Sequence, residues 1–536
     1  MLGKRPSRRH FLWATGVSGL SGSMLGAGSM PLLAEAAPGP TEADRSGATI
    51  LVGSGVPWVR VKEAVLFPFD NYSVPFTWGL KLDLVMAKNP DARNPIVVRP
   101  GQPGEPDSET VRYYGTVIQV GDELRMWYLG GGGKSDPIPH LLPPLKGWHP
   151  LYAVSKDGIN WEKPKLGLME YNGNKQNNLL DFMDGKYGVG EHVVIYEPED
   201  PDPARRFKMV FECGKYNNRL AVAFSPDGLR WTESPRNPVG PFLEESGLIK
   251  FNGCYYVNGQ GGGQYGSGRK MVTFASYDFE HWSQACALSF RRGPIVDLGP
   301  DKWNTLEEVH LGASLTGRGN VIIGIYGMWH GDSTGDRSRV TMDLGLIVSN
   351  DALHFHEPIP DFRFIPAREE LEVPPGRAAL AQGQGMVNLG EKTLYWYEVW
   401  GSGDTTGVRM ATWERDRFGY FRVFLPPDPG GRSPHPHFIS CPIKLDRAGA
   451  RVFINAVGLS ENTELTVELL DLKFQGIPGY SGGDCIPIRT SGFRQAATWR
   501  GKEALEAFSH PVFVRVTFGG LRPEDAKLYA VYVASE

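Results

Sequence analysis

Glutamate residues recur at one kind of place in this 536-residue sequence. Each precedes a short run of apolar and aromatic residues that is typical of a strand: Glu109, Glu191, the pair Glu244 and Glu245, and the pair Glu307 and Glu308. At the fifth such place the sequence has Gln382 and Gln384. Clustered carboxylates raise one another's pKa, so one can stay protonated near neutral pH while another is ionised. The pattern predicts acid–base chemistry, provided that the strands converge.

Two carboxyl groups of this kind can cleave a glycosidic bond, one as acid and one as base or nucleophile. We expect Glu308 to be the general acid, because His310 lies two residues further along the same strand face. Glu191 is the second candidate, and Glu109 is the third, with Asp107 as its alternative. For any one of them, the competing interpretation is a solvated loop residue.

Several polar and aromatic residues near these carboxylates are candidates for sugar binding. They are His192, Glu245, His310, Trp329, His330, Asp332 and Gln384. Trp329 could stack on a pyranose ring, while His330 and Asp332 could bind hydroxyl groups; a polar loop beside a core tryptophan is the alternative. The sequence lacks the Cys/His spacing of a zinc site and has no phosphate-binding loop. We therefore expect no cofactor and no metal.

A repeated unit must position these residues. It ends in Ser-x-Asp-Gly-x-x-Trp or a degraded copy, at 155–161, 225–231, 276–282, 349–355 and 413–418. Hairpin signals lie upstream, at Gly121-Asp122, Asn252-Gly253 and Gly390-Glu391. We interpret the Asp and Gly as turn residues and the aromatic residue as packing between units. Five such units predict an all-β fold, a five-bladed β-propeller over residues 50–430.

A second unit follows a Pro/Gly-rich segment at 426–431. Alternating strand patterns over residues 435–536 predict a C-terminal β-sandwich. The five cysteines are few and odd in number. We expect five buried free thiols, with a Cys441–Cys485 disulfide as the alternative.

A propeller followed by a sandwich resembles glycoside hydrolase families 32 and 43. The string at 157–164 and the pair of segments at 114–117 and 126–128 look like secreted family-32-like proteins. The resemblance implies glycosidase activity on an oligo- or polysaccharide. Glu212-Cys213 imitates the family's Glu-Cys acid motif, but it lies in an apolar strand sequence, and we interpret Glu212 as a packed strand residue. The Trp-x-Asn-Asp-Pro-Asn-Gly and Arg-Asp-Pro strings of family 32 are absent. This favours the alternative, a non-catalytic glycan-binding propeller.

The first 36 residues resemble a twin-arginine (Tat) export signal. Arg8 and Arg9 are followed by a weakly apolar stretch that ends in Ala34-Glu35-Ala36. We expect Tat export to the periplasm or beyond, with no transmembrane segment in the mature chain. The formal net charge of −4 argues against nucleic-acid binding, which requires clustered Lys and Arg.

Overall fold

The computed structural model describes residues 50–52, 58–90, 95–132, 148–183, 187–260, 268–294, 305–367, 379–400, 406–425, 430 and 433–535. The predicted export signal lies outside them. All described residues belong to one compact unit, Gly47–Glu536.

The described residues form 32 strands, as the predicted all-β class requires. The first six are β1 (Ile50–Val52), β2 (Val59–Val61), β3 (Glu63–Leu66), β4 (Phe76–Trp78), β5 (Leu80–Leu84) and β6 (Ile96–Val98). The next eight are β7 (Thr110–Val120), β8 (Glu123–Gly131), β9 (His149–Ser155), β10 (Val189–Tyr196), β11 (Phe207–Cys213), β12 (Ala221–Ser225), β13 (Thr232–Glu233) and β14 (Glu244–Phe251). They are followed by β15 (Cys254–Gln260), β16 (Met271–Ser276), β17 (Ala287–Phe290), β18 (Glu307–Arg318), β19 (Val321–His330), β20 (Thr341–Ser349), β21 (Arg363–Ile365), β22 (Leu380–Leu389), β23 (Lys392–Val399), β24 (Val408–Glu414) and β25 (Gly419–Val423).

The C-terminal strands are β26 (His437–Ile439), β27 (Ile443–Leu445), β28 (Ala450–Val457), β29 (Thr463–Leu470), β30 (Gly492–Ala496), β31 (Phe513–Gly520) and β32 (Lys527–Ser535). Short 3-10 helices lie at Pro203–Arg205, Gly214–Tyr216, Arg337–Arg339, Gly482–Asp484 and Pro523–Asp525. No described helix is long and apolar enough to cross a membrane.

The middle of the chain forms antiparallel sheets in sequence order. Three are four-stranded: β10–β13, β14–β17 and β18–β21. A seven-stranded sheet has the order β6-β24-β23-β22-β7-β8-β9, in which β22 meets β7 through one parallel bridge, Gln384 to Thr116. The first strands of successive sheets pack side by side, from β7 through β10, β14 and β18 to β22, which returns to β7. These five strands, the inner strands, therefore form a closed ring of side-by-side contacts.

The predicted hairpins form because their turn residues tolerate positive φ. Asn252 (φ 48°) and Gly253 (φ 82°) join β14 to β15. Gly121 and Gly390 turn the chain between β7 and β8 and between β22 and β23.

The predicted turn role of the repeated motif is confirmed. In the first copy, Ser155 Oγ accepts the backbone N–H of Gly158, and Asp157 Oδ1 accepts the N–H groups of the two residues that follow Gly158. Gly158 has φ 78°, and its carbonyl accepts indole N–H bonds from both Trp161 and Trp396. Since Trp396 belongs to β23, the motif ties the end of β9 to β23 within the seven-stranded sheet.

The C-terminal strands form two further main sheets that include strands from the start of the chain. One has the order β30-β28-β32-β25-β5, with β3 also paired to β32; the other has the order β29-β31-β26-β4. A third, three-stranded sheet is β2-β1-β27. Thus β3, β4 and β5, which precede the predicted boundary near residue 430, lie in the sheets of the C-terminal strands. The domain limits themselves stay a prediction.

All five cysteines are free thiols, as expected from the sequence. Four are buried, whereas Cys286 is half-buried, so the expectation that all five are buried is wrong for that residue.

Candidate active site

A cavity of about 570 Å³ lies where the inner strands begin. Its walls are formed by Arg112, Tyr114, Trp148, Glu191, Glu244, Gln260, Arg269, His310, Leu311, Arg337 and Trp400. Two carboxyl groups, three guanidinium groups and three large aromatic rings therefore face one space. The convergence of side chains from the inner strands is the arrangement that acid–base chemistry needs.

Each of the five inner strands has a break in register close to its start. The breaks fall between Arg112 and Thr116, Val189 and His192, Glu245 and Gly247, His310 and Ala313, and Gln382 and Met386. A β-bulge turns a side chain away from the regular pleat. Three residues of the cavity wall, Tyr114, Glu191 and Leu311, lie inside these bulges. The bulges thus help to direct side chains into the cavity.

Four carboxyl groups from two neighbouring sheets form a cluster at the cavity floor. Glu191 and Glu244 line the cavity, while Glu212 and Glu245 are buried, with exposed fractions of 4% and 1%. Glu191 is hydrogen-bonded to Glu212. Two carboxyl oxygens can share a hydrogen bond only when one of them carries a proton.

Burial and the carboxylates of Glu212 and Glu244 raise the pKa of Glu191 well above its usual value. Burial and the Glu245 and Glu244 carboxylates raise the pKa of Glu212 to about 9, although its bond to Glu191 opposes this. Burial likewise raises the pKa of Glu245, with a further contribution from Glu191. The Glu191–Glu212 pair therefore retains a proton at neutral pH.

Glu244 has a different environment from Glu191. Burial raises its pKa, but the guanidinium groups of Arg269 and Arg337 oppose the rise. Its Oε2 accepts a hydrogen bond of 2.7 Å from Gln260 Nε2. Positive neighbours favour the ionised form, so the two cavity carboxyl groups differ in their tendency to hold a proton.

Glu308 does not line the cavity. Its Oε2 lies 2.9 Å from Arg269 Nη1, and its side chain is buried, with an exposed fraction of 2%. Arg269 lines the cavity, whereas Glu308 forms an ion pair with Arg269 outside the cavity wall. The general-acid role expected from the sequence needs a carboxyl group that faces the cavity, whereas the Glu308 carboxyl group faces Arg269.

The aromatic wall differs from the sequence expectation. Trp329 is completely buried, with the Arg269 guanidinium 4.0 Å from its ring centre and His310 stacked on it at 5.8 Å. Trp400, whose indole N–H donates to Tyr114 Oη, lines the cavity, and so does Trp148. Sugar stacking is therefore open to these rings and not to Trp329.

The remaining predicted residues are distributed around the site. His310 lines the cavity. His192 is fully buried, and burial lowers its pKa to about 3, so it is neutral. Glu109 is exposed and outside the cavity wall, and the buried Asp107 pairs with Lys163 at 2.6 Å.

His330 and Gln384 make structural contacts. Burial opposes charge on His330, but hydrogen bonds to Asp343 and Glu307 raise its pKa to about 8. Asp332 bonds to Thr334 of its own loop. The amide of Gln384 donates to backbone carbonyls of β14 and β18 and ties three inner strands together.

Sequence reasoning missed much of the cavity wall. Arg112 and Tyr114 belong to β7, and Trp148 directly precedes β9. Arg269, Arg337 and Trp400 come from segments beside later strands. One signal in the sequence could have identified Glu212 as a site residue, namely a carboxylate in an otherwise apolar strand. A buried carboxyl group needs a partner, and Glu191 supplies it. Among the described side chains, no group of three or more His, Cys, Asp or Glu residues could hold a metal ion.

No protein-family model matches the chain, and no curated protein matches it. Several solved structures similar to it are described as glycoside hydrolases. One of these structures is described as belonging to the GH130 family of mannoside phosphorylases, which contains glycoside hydrolases that target β-1,2 mannosidic linkages in Candida mannan. It is 16% identical to this chain, the match covers 62% of this chain and 95% of that chain, and the TM-score is 0.39. A glycosyl hydrolase from Bacteroides ovatus has 15% identity over 62% and 95%, with a TM-score of 0.40.

A GH32 β-fructofuranosidase from Bombyx mori, a mutant in complex with sucrose, has 11% identity. The match covers 83% of this chain and 94% of that chain, with a TM-score of 0.35. The predicted resemblance to glycoside hydrolases is confirmed as a similarity to solved structures. The roles of individual residues rest on the geometry of the cavity.

Proposed function

We propose that this protein is a glycoside hydrolase that cleaves its substrate in the carboxylate-lined cavity. Glu191 is the general acid, kept protonated through its hydrogen bond to Glu212 and its burial. Glu244 is the ionised partner, acting as base or nucleophile beside Arg269 and Arg337. The single observation that supports this most is that two cavity carboxyl groups with different electrostatic surroundings face the same space.

The proposed reaction uses groups that the cavity already holds. Protonation of the departing glycosidic oxygen by Glu191 transfers one proton and leaves that carboxylate charged, while water or Glu244 attacks the sugar carbon. Trp148 or Trp400 provides a ring face for the sugar. The fold that carries the site is, on our interpretation, a five-bladed propeller with a C-terminal β-sandwich.

We further propose that the chain is exported by the Tat system to the periplasm or beyond. Arg8 and Arg9 support this. Replacing both with Lys should leave unprocessed protein in the cytoplasm, and unchanged export would remove the assignment.

Reducing-sugar release from a panel of polysaccharides tests the enzymatic proposal. We expect release from at least one glycan, with Glu191→Gln and Glu244→Gln lowering the rate by about 10²–10⁴-fold. Glu199→Gln is the matched control, because Glu199 is an exposed glutamate beyond the end of β10. Saturable glycan binding without any release would instead support the non-catalytic glycan-binding protein.

A further inference from the structure

Arg337 differs from the other two arginines of the cavity wall. Arg112 Nη1 lies 3.4 Å from Glu398 Oε1, and Arg269 pairs with Glu308 at 2.9 Å. Among the described residues, no carboxylate lies within ion-pair distance of Arg337. The cavity therefore contains two guanidinium groups with their own buried counter-ions and one without.

Aromatic rings, and not a carboxylate, flank the Arg337 guanidinium. Its centre lies 5.6 Å from the ring centre of Trp400 and 5.9 Å from that of Trp329. A guanidinium beside ring faces keeps its in-plane N–H donors for another partner. Arg337 is exposed and belongs to the 3-10 helix Arg337–Arg339, so a ligand in the cavity can reach it.

The two carboxyl groups of the cavity wall leave the Arg337 guanidinium without a directly bonded counter-ion. Glu191 holds a proton with Glu212 and so contributes less negative charge to the wall. Glu244 is hydrogen-bonded by the neutral amide of Gln260. Arg337 thus acts on Glu244 only through space, and its donors are available for a carboxylate of the ligand.

We propose that the sugar bound in this cavity carries an oxyanion, namely the carboxylate of a uronic acid, and that Arg337 binds it. This inference rests on the proposed function, since it names the class of substrate for the same cavity. A free inorganic oxyanion would satisfy the same chemistry and is distinguished by the test below.

Binding measurements separate the inference from catalysis. Glu191→Gln protein is titrated calorimetrically with oligomers of galacturonate, glucuronate and mannuronate, and with the same oligomers after carboxyl reduction. We expect at least one uronide to bind about ten- to a hundredfold more tightly than its reduced form, as a charge-assisted hydrogen bond implies. Adding Arg337→Gln should abolish that difference, whereas Arg339→Gln should leave it unchanged.

Arg339 is the matched control because it lies in the same short helix, outside the cavity wall, with Asp336 3.6 Å away. Equal affinity for charged and reduced oligomers, no binding of any uronide, or an equal loss in the Arg339 variant would overturn the inference. So would competition by inorganic phosphate with no preference for uronides, which would assign Arg337 to a free anion. Hydrolysis of neutral glycans with no charge preference would overturn this inference alone. Selective uronide binding by a wild-type protein that cleaves none would overturn the proposed function alone.

Discussion

The shared proton of Glu191 and Glu212 couples the acidity of the cavity to the stability of the fold. Glu212 has a pKa of about 9 when folded, well above the value of about 4.3 for a glutamate in an unfolded chain. Between these two pH values the folded protein holds a proton that the unfolded chain has released. The free energy of unfolding therefore falls as pH rises, by up to about 1.4 kcal/mol per pH unit for one proton.

Glu212→Gln removes this titration. We expect the melting temperature of the variant, relative to wild type, to increase steadily from pH 5 to pH 9, as measured by calorimetry. Glu199→Gln, on the protein surface, should follow the wild-type curve. Parallel curves for Glu212→Gln and wild type would mean that the carboxyl group is not protonated in the folded state.

The sequence predicted which strands carry the carboxylates, but not which residue holds the proton. Glu191 was among the candidates because its place before an apolar run is visible locally. The local pattern favours Glu308 because His310 shares its strand face, and the approach of Arg269 from another sheet cannot be read from that pattern. For Glu212 the apolar strand sequence around it predicts a packed residue, and its contact with Glu191 on the neighbouring strand is not visible in that sequence.

At the scale of elements, the bulges of the inner strands determine which side chains line the cavity. In β18 the bulge includes Gly312 at φ 118°, and Asn258 clasps the next residue, Ala313, through both its backbone N–H and its carbonyl. A Cβ on Gly312 would lie 2.4 Å from Asn258 Oδ1. The bulge therefore depends on glycine at this position.

Gly312→Ala should lower the free energy of unfolding by about 1–3 kcal/mol, because it adds strain and a clash. It should also impair ligand binding, since His310 and Leu311 directly precede the bulge glycine. Gly317→Ala is the control in the same strand, where the new Cβ would meet Ile249 at an ordinary 3.5 Å. Urea unfolding measures the free energy of unfolding of the two variants. Equal stability of Gly312→Ala and Gly317→Ala would show that the bulge does not depend on glycine at position 312.

Hairpins and motif turns were predictable because their signals lie within a few residues, as at Asn252 and Gly253. The bulges and the pairing of β6 with β24 were not, since both depend on contacts between distant parts of the chain. Pairing between segments hundreds of residues apart does not alter the local pattern of apolar and polar residues, so it cannot be predicted from that pattern.

At the scale of the whole molecule, strands near residue 65 are joined to the last strand of the chain. β3 pairs with β32, and Phe67 and Phe69 share a buried cluster with Tyr532. Residues before the predicted boundary thus supply part of the C-terminal sheets. Cleavage in the segment 426–432 would cut the chain without separating these strands.

We expect limited proteolysis in that segment to give two fragments that elute together in size-exclusion chromatography. They should separate only in denaturant, because the shared sheets and core hold them together. Release of a freely migrating fragment of about 100 residues under native conditions would contradict this and support an independent C-terminal domain.

The identity of the general acid is tested most directly by the dependence of cleavage on the leaving group. The measurement compares kcat/KM of Glu191→Gln on a nitrophenyl glycoside and on an unactivated alkyl glycoside of the same sugar. Gln keeps the size of Glu but cannot donate the proton, so the alkyl substrate should lose about 10²–10⁴-fold while the nitrophenyl substrate is largely spared. Glu308→Gln should instead affect both substrates alike, through Arg269. An equal loss on both substrates for Glu191→Gln, or a leaving-group effect at Glu308 in its place, would contradict the assignment of Glu191 as the acid.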